Sequence, residues 1–129
     1  MFDLEDFFEL VDSSKNITVG FSGGGDSSAL LHFCHELNQQ GLLHGSLSAL
    51  HINHSLNKDS DQWEDHCKIF CEERGVAFHS YQVKINSKKS GLESAARNAR
   101  YKIFKEAIQL NDQLLLAHHA DDVAETILF

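Results

Sequence analysis

The sequence has no proline, only three cysteines and no long apolar run, and each shortage excludes a class of protein. Without proline or a low-complexity tract there is no linker to divide the 129 residues, so we expect one domain over residues 1–129. Three cysteines form no even-numbered disulfide framework, and no charged-then-apolar leader opens the chain, which favours a reducing, cytoplasmic setting. The apolar runs are far shorter than the roughly 20 residues of a membrane span, so we expect a soluble protein.

Positive charge is also scarce. The 11 Lys and Arg residues stand against 19 Asp and Glu residues, which gives a formal net charge of -8. Neutralising phosphates requires clustered cations, so this balance argues against a general polyanion-binding surface. If the substrate is a nucleic acid, most of the binding surface must lie elsewhere.

The apolar residues that are present recur at helix and strand spacing in alternating segments. The predicted helices are Phe2–Val11, Ser28–Gln40, Asp59–Arg74 and Leu92–Leu110, with another starting at Asp121; the predicted strands are Asn16–Phe21, Ser46–Ile52, Val76–Val83 and Gln113–Ala117. This alternation predicts an α/β fold, a parallel sheet with helices on both faces. Ligands of such sheets bind at the carboxyl ends of the strands.

A Gly-rich loop, Ser22–Ser27, follows the first predicted strand. Gly23, Gly24 and Gly25 allow positive φ angles and close approach of backbone N–H groups to an anion, and Ser22 and Ser27 can donate to phosphate oxygens. The loop has neither the Walker A ending nor the dinucleotide-binding spacing. It therefore predicts a phosphate site of another type.

Asp26 would repel phosphate unless a divalent cation lay between them, so it is a candidate Mg²⁺ ligand. The alternative is that Asp26 only caps the following helix. A second cluster, His118–Thr126, follows the fourth predicted strand and is expected at the same sheet edge. His119, Asp121 and Asp122 are candidate metal-binding or charge-balancing groups, although acids in a first helical turn are also favoured by the helix dipole.

Two further groups remain open between two interpretations, and a third favours one of them. Arg97 and Arg100 form either a solvated helix stripe or a clamp for phosphate or tRNA. His51 and Asn53 end the second strand, where they either border a nucleotide pocket or are ordinary polar residues. Cys67 and Cys71 are expected to be core thiols, because Cys-x-x-x-Cys within a helix is poor zinc geometry.

The Gly-rich loop resembles the Ser-Gly-Gly-x-Asp-Ser loop of the N-type ATP pyrophosphatases, the PP-loop superfamily. Three more segments are similar, in sequence and order, to the tRNA(Ile)-lysidine synthetase family: His51–His54, Glu93–Tyr101 and Ala117–Thr126. The iron–sulfur Cys-x-x-Cys pairs of the tRNA 2-thiocytidine enzymes are absent. Gly25 stands where the tRNA(Ile)-lysidine synthetase family more commonly has Leu, and Ser55 and Asn57 stand where that family tends to have Gly and Arg.

The resemblance implies a Rossmann-like adenine nucleotide alpha hydrolase-type fold, C-terminally truncated relative to the family. It implies a ligase that uses ATP and Mg²⁺ to adenylate the wobble cytidine of tRNA(Ile) and then joins L-lysine to it, releasing AMP and pyrophosphate. Most tRNA contacts would then lie in C-terminal domains beyond Phe129, and a homodimer is left open. The alternatives are another PP-loop pyrophosphatase, for tRNA thiolation or small-molecule amidation, and a non-catalytic nucleotide-binding module.

The site roles implied by the resemblance follow the matching motif positions. Phosphate and nucleotide binding falls to Ser22–Ser27, His51, Asn53 and Arg100; catalysis to Asp26, Arg97, His119, Asp121 and Asp122; and metal binding to Asp26, Asp121 and Asp122.

Overall fold

Alternating helices and strands build one sheet in the computed structural model, which describes residues 4–53, 59–83, 98, 102–108, 112–117 and, for the backbone, 124–127. The elements are α1 (Leu4–Leu10), β1 (Asn16–Gly20), α2 (Gly25–Gln39), β2 (Leu47–Asn53), α3 (Ser60–Arg74), β3 (Ala77–Gln82), β4 (Asp112–Ala117) and β5 (Ala124–Ile127). Residues 102–107 are also helical. None of the helices in these ranges is long and apolar enough to cross a membrane.

The sheet has the strand order β3-β2-β1-β4-β5, and the first four strands are parallel. The predicted parallel α/β sheet is therefore confirmed. The chain proceeds from β1 to β2 and β3 on one side and places β4 on the other side of β1. This reversal creates a topological switch point between β1 and β4, which is where open α/β sheets bind ligands.

Apolar side chains alternate between the two sheet faces, and helices cover both. One core combines residues of α1, α2 and α3 with Val19, Ala49 and Leu115 from the strands. The other contains Leu50, Leu114 and Phe104, the last from the helical segment 102–107. The middle residues of β1, β2 and β4 are buried, as expected for parallel strands that helices cover on both faces.

The fifth strand corrects one prediction. A helix was expected from Asp121 onward, but Ala124–Ile127 pairs antiparallel with β4, with Leu114 opposite Ile127 and Ala117 opposite Ala124. Without a neighbouring strand on this side, β4 would leave backbone N–H and C=O groups unpaired. A following extended segment can pair with these groups, and the hydrogen bonds gained outweigh the local preference for a helix. Antiparallel edge strands on parallel sheets are common.

The polar side chain of Gln113 attaches the N-terminal helix to the sheet. Its Oε1 accepts from the Asp12 amide at 2.7 Å, and its Nε2 donates to the Asp12 carbonyl oxygen at 2.6 Å. Gln113 is buried, so both partners of its amide matter to stability. The connection between α1 and β1 is thereby joined to the start of β4.

Candidate functional site

The Gly-rich loop lies between β1 and α2, at the carboxyl edge of the sheet. The helix begins at Gly25, three residues earlier than predicted, so that Gly25, Asp26 and Ser27 form its first turn. The first N–H groups of a helix have no intrahelical acceptor, and the helix dipole adds partial positive charge there. The predicted phosphate site therefore coincides with a helix N-terminus.

Only one of the three glycines uses the conformational freedom expected of them. Gly23 has φ +85°, whereas Gly24 is extended with φ −73° and Gly25 is helical. A Cβ at Gly25 would meet nothing within 4 Å, and one at Gly24 would meet only the Ser22 hydroxyl at 3.5 Å. The backbone thus requires glycine at position 23 in particular.

The two loop serines bond within the loop. Ser27 is buried; its hydroxyl lies 2.9 Å from that of Ser22, accepts from the Ser22 amide at 3.2 Å and donates to the Gly24 carbonyl oxygen at 3.3 Å. The Ser22 hydroxyl accepts from the Gly24 amide at 3.2 Å. In this structure the two serines therefore stabilise the loop conformation. A phosphate oxygen would have to compete with the Ser22 hydroxyl for the Gly24 N–H.

His51, at the end of β2, is joined to the start of the loop. Its Nδ1 lies 2.8 Å from the carbonyl oxygen of Phe21, and since that oxygen can only accept, Nδ1 carries the proton. The ring is buried and lies 6.2 Å from that of Phe78 at an interplanar angle of 26°. The His51 side chain therefore connects two strand ends.

Asn53, the last residue of β2, is likewise turned into the structure. Its Nδ2 donates to Oδ1 of Asp61 at 2.9 Å and lies 3.4 Å from Oε1 of Glu64, both on α3. Its backbone carbonyl oxygen accepts from the Val83 amide at 2.8 Å. The amide side chain is buried, so it links β2 to α3.

Helix α3 also contacts the loop directly, which sequence reasoning missed. Trp63 lies at four-residue spacing from the buried Cys67 and Cys71, but it is 45% exposed and its indole Nε1 donates to the Ser22 carbonyl oxygen at 2.6 Å. The indole stacks on His66 with ring centroids 5.0 Å apart. Its helical spacing indicated a buried face, and nothing in the sequence identified a backbone carbonyl 41 residues away as its partner.

The cysteines behave as core residues. Cys34, Cys67 and Cys71 are free and buried, and burial raises the pKa of their thiols to about 12, about 11 and about 11 respectively. A protonated thiol is a poor metal ligand. Among the residues that the structure describes, no group of three or more His, Cys, Asp or Glu side chains is arranged to hold a metal ion.

The remaining predicted site residues lie outside the described ranges: Arg97, Arg100, His119, Asp121 and Asp122. What the described strands do establish is that β4 runs parallel beside β1, with Val19 opposite Leu115. The carboxyl ends of β1 and β4 therefore share one sheet edge, and the chain leaves β4 there toward the His-Asp-Asp segment.

Together the Gly-rich loop, the helix N-terminus and the switch-point topology define a nucleotide-phosphate-binding α/β domain. The chain belongs to the PP-loop domain family, whose family description matches residues 3–129. Membership of this ATP-binding family implies the use of ATP.

Several curated relatives are similar to most of this chain in sequence. The chain is 47% identical over 114 residues to the tRNA(Ile)-lysidine synthase of Photorhabdus laumondii, an alignment that covers 88% of this chain and 26% of that protein. It is 42% identical over 118 residues to the enzyme of the same name from Proteus mirabilis, covering 92% of this chain and 27% of the relative. The chain thus spans about a quarter of the length of these relatives.

A solved structure shares the fold. The U34-tRNA thiolase NcsA of Methanococcus maripaludis, solved with its [4Fe-4S] cluster, superposes with a TM-score of 0.66 at 21% identity over 89% of this chain and 42% of that one. At this identity the likeness concerns the fold alone.

Proposed function

We propose that this chain is the ATP-binding, nucleotidyl-activating domain of a tRNA(Ile)-lysidine synthase. ATP would adenylate the C2 oxygen of the wobble cytidine in a tRNA(Ile) with a CAU anticodon, releasing pyrophosphate, and the amine of L-lysine would then displace AMP. The observation that carries the proposal is 47% identity to such an enzyme across 88% of the chain. The location of that loop at the switch point supports it physically.

In this reaction the loop and the start of α2 bind the phosphates of ATP. Backbone N–H groups and the helix dipole favour negative charge at this place, and they favour it most where charge accumulates as pyrophosphate departs. Gly23, with its positive φ, gives the backbone a shape that a side chain at this position would obstruct. Positioning of the phosphates is the contribution we assign to these residues.

Asp26 is suited to Mg²⁺ bound together with ATP. It lies in the first turn of α2, within the loop segment. Mg²⁺ generally uses one or two carboxylates together with substrate phosphates and water rather than an all-protein cage. When bound, Mg²⁺ would neutralise phosphate charge during cleavage between the α- and β-phosphates. A single loop carboxylate, without a three-ligand cluster among the described residues, fits that arrangement.

The residues outside the described ranges complete the proposal. We assign His119, Asp121 and Asp122 to the same sheet edge through the parallel pairing of β1 and β4, with one of the two aspartates as a second metal ligand. Arg97 or Arg100 would contact ATP or tRNA. Because the net charge is -8, most tRNA binding would depend on other parts of the enzyme.

The test is a product assay on the full-length gene product. It is incubated with ATP, Mg²⁺, L-lysine and a tRNA(Ile) transcript bearing the CAU anticodon, and nucleotides are separated by chromatography. We expect AMP and pyrophosphate in amounts that depend on both tRNA and lysine. Release of ADP, or turnover indifferent to tRNA and lysine, would contradict the proposal and favour another PP-loop pyrophosphatase.

A matched tRNA control sharpens the assay. The same transcript with a CAU to GAU change in its anticodon lacks the wobble cytidine and should give no lysine-dependent AMP. Mass spectrometry of the digested tRNA then checks that lysine is attached to the cytidine and not to another nucleoside.

A further inference from the structure

Trp63 contacts the Gly-rich loop at the peptide that links Ser22 and Gly23. Its indole Nε1 donates to the Ser22 carbonyl oxygen at 2.6 Å, a short hydrogen bond between residues that belong to different elements. The side chain remains 45% exposed, so this contact is not simply a consequence of burial in the core. The hydrogen bond therefore acts at one defined point of the loop.

The same helix leaves no room beside that peptide. A Cβ on Gly23 would lie 2.6 Å from Sγ of Cys67 and 2.8 Å and 2.9 Å from Cζ2 and Cε2 of Trp63. Real Cβ atoms do not approach other atoms so closely, so α3 packs directly against the Gly23 backbone. Gly23 is also the loop residue with positive φ, at +85°.

Because the peptide is planar, the hydrogen bond from Trp63 fixes the orientation of the whole Ser22–Gly23 peptide. The carbonyl of Ser22 and the N–H of Gly23 belong to one trans peptide and point in opposite directions. With the carbonyl oxygen directed at Trp63 on α3, the Gly23 N–H must point away from α3. If the peptide were reversed, the Ser22 carbonyl oxygen would face the phosphate and repel it. The hydrogen bond to Trp63 keeps this oxygen turned toward α3 instead.

We propose that Trp63 is a positioning residue that orients the Ser22–Gly23 peptide of the loop for phosphate binding. This inference rests on the proposed binding of ATP at the loop and adds a residue to that site. Trp63 acts through the loop backbone and need not touch the nucleotide. His66 stacks on the indole, whereas the donor to the loop carbonyl oxygen is Nε1 of Trp63.

The test compares Trp63→Phe, which keeps an aromatic ring but has no N–H, with His66→Ala, which removes the stacked ring and keeps the indole hydrogen bond. Amide hydrogen exchange of the ligand-free full-length protein is followed by mass spectrometry in the peptide containing Ser22, Gly23 and Gly24. Affinity for MgATP and for pyrophosphate is measured by calorimetry. Protection of β4 in the same exchange experiment checks that each variant is folded.

In Trp63→Phe we expect faster exchange in the loop peptide and a loss of MgATP and pyrophosphate affinity of about 3- to 10-fold, as expected for one hydrogen bond. His66→Ala should stay within about twofold of wild type, a change below about 0.5 kcal/mol. Unchanged loop exchange in Trp63→Phe, unchanged affinity, or an equal effect in His66→Ala would each overturn the inference. If the wild-type protein bound neither ligand, the proposed ATP site would fail, while loop exchange would still report whether Trp63 orders the peptide.

Discussion

The imidazole Nδ1 of His51 donates to the carbonyl oxygen of Phe21 at 2.8 Å, joining the end of β2 to the residue immediately before the Gly-rich loop. The Phe21 amide in turn donates to the Leu50 carbonyl oxygen at 2.9 Å. The loop therefore starts from a point that two neighbouring bonds to β2 hold in place. Nucleotide affinity and fold stability should both respond to this connection.

Replacing His51 tests the connection. His51→Leu leaves the Phe21 carbonyl oxygen without this partner in a buried setting, so we expect the free energy of unfolding to fall by about 1–3 kcal/mol. His51→Asn places an amide N–H near the former Nδ1 and should lose less. Urea unfolding of both variants measures the difference, and an equal or larger loss in His51→Asn would show that the hydrogen bond is not what stabilises this connection.

Gly23→Ala should disrupt the loop. The alanine would adopt φ +85° and place its Cβ against Cys67 and Trp63, so it combines a left-handed backbone cost of about 1–2 kcal/mol with overpacking of about 1–3 kcal/mol. At about 1.4 kcal/mol per factor of ten, distortion of the loop should weaken MgATP binding about tenfold or more. Calorimetry and thermal unfolding measure the two effects.

Gly41→Ala is the matched control for this substitution. Gly41 also has positive φ, at +76°, but a Cβ there would meet nothing within 4 Å. It should show the backbone cost in thermal unfolding and retain MgATP affinity. A similar loss of affinity in both variants would mean that the contact between α3 and the loop is unimportant.

If Asp26 binds Mg²⁺ as proposed, Asp26→Asn should lower Mg²⁺-dependent turnover by about 100-fold, because the charge is lost with little change of shape. Stability should change by less than about 1 kcal/mol, the usual value of an acid at a helix N-terminus. Initial rates at increasing Mg²⁺ concentration provide the measurement. Asp65→Asn, which removes an exposed carboxylate from α3, should keep the wild-type Mg²⁺ dependence. Unchanged turnover in Asp26→Asn would reduce that residue to a helix-stabilising acid.

The buried thiols predict alkaline destabilisation. The pKa values of Cys34, Cys67 and Cys71 are raised by burial from an ordinary value of 9.0 to about 12, about 11 and about 11. Above pH 9 the unfolded chain loses thiol protons that the folded chain keeps, so the free energy of unfolding falls as pH rises from about 9 toward 11–12. Below pH 9 these groups make no pH-dependent difference.

Urea unfolding across this pH range measures the slope. Cys34→Val, which has no titrating thiol and a similar volume, should show a shallower loss than wild type. An unchanged slope in that variant would indicate that groups other than Cys34 control alkaline unfolding.

Local sequence was sufficient to predict the repeating elements and the location of the loop. Periodicity located both ends of β1, β2, β3 and β4 to within one residue, and α3 ends at the predicted Arg74, where Gly75 adopts the αL conformation. It failed at Ala124–Ile127, where hydrogen bonding to β4 decided the conformation. It also extended the Gly-rich turn through Ser27, although the first turn of α2 begins at Gly25.

The amino-acid sequence by itself determined the parallel α/β class and the location of the Gly-rich loop with its Asp26 carboxylate, because these depend on short-range periodicity and on the residue types at adjacent positions. Tertiary structure alone decided the partners of that loop. Trp63 reaches Ser22, His51 reaches Phe21 and Asn53 reaches Asp61 only because the sheet order brings β1, β2 and α3 together. Such contacts join side chains to backbone or polar groups that are distant in sequence. The spacing of residues along the chain does not indicate which of these groups come within hydrogen-bonding distance.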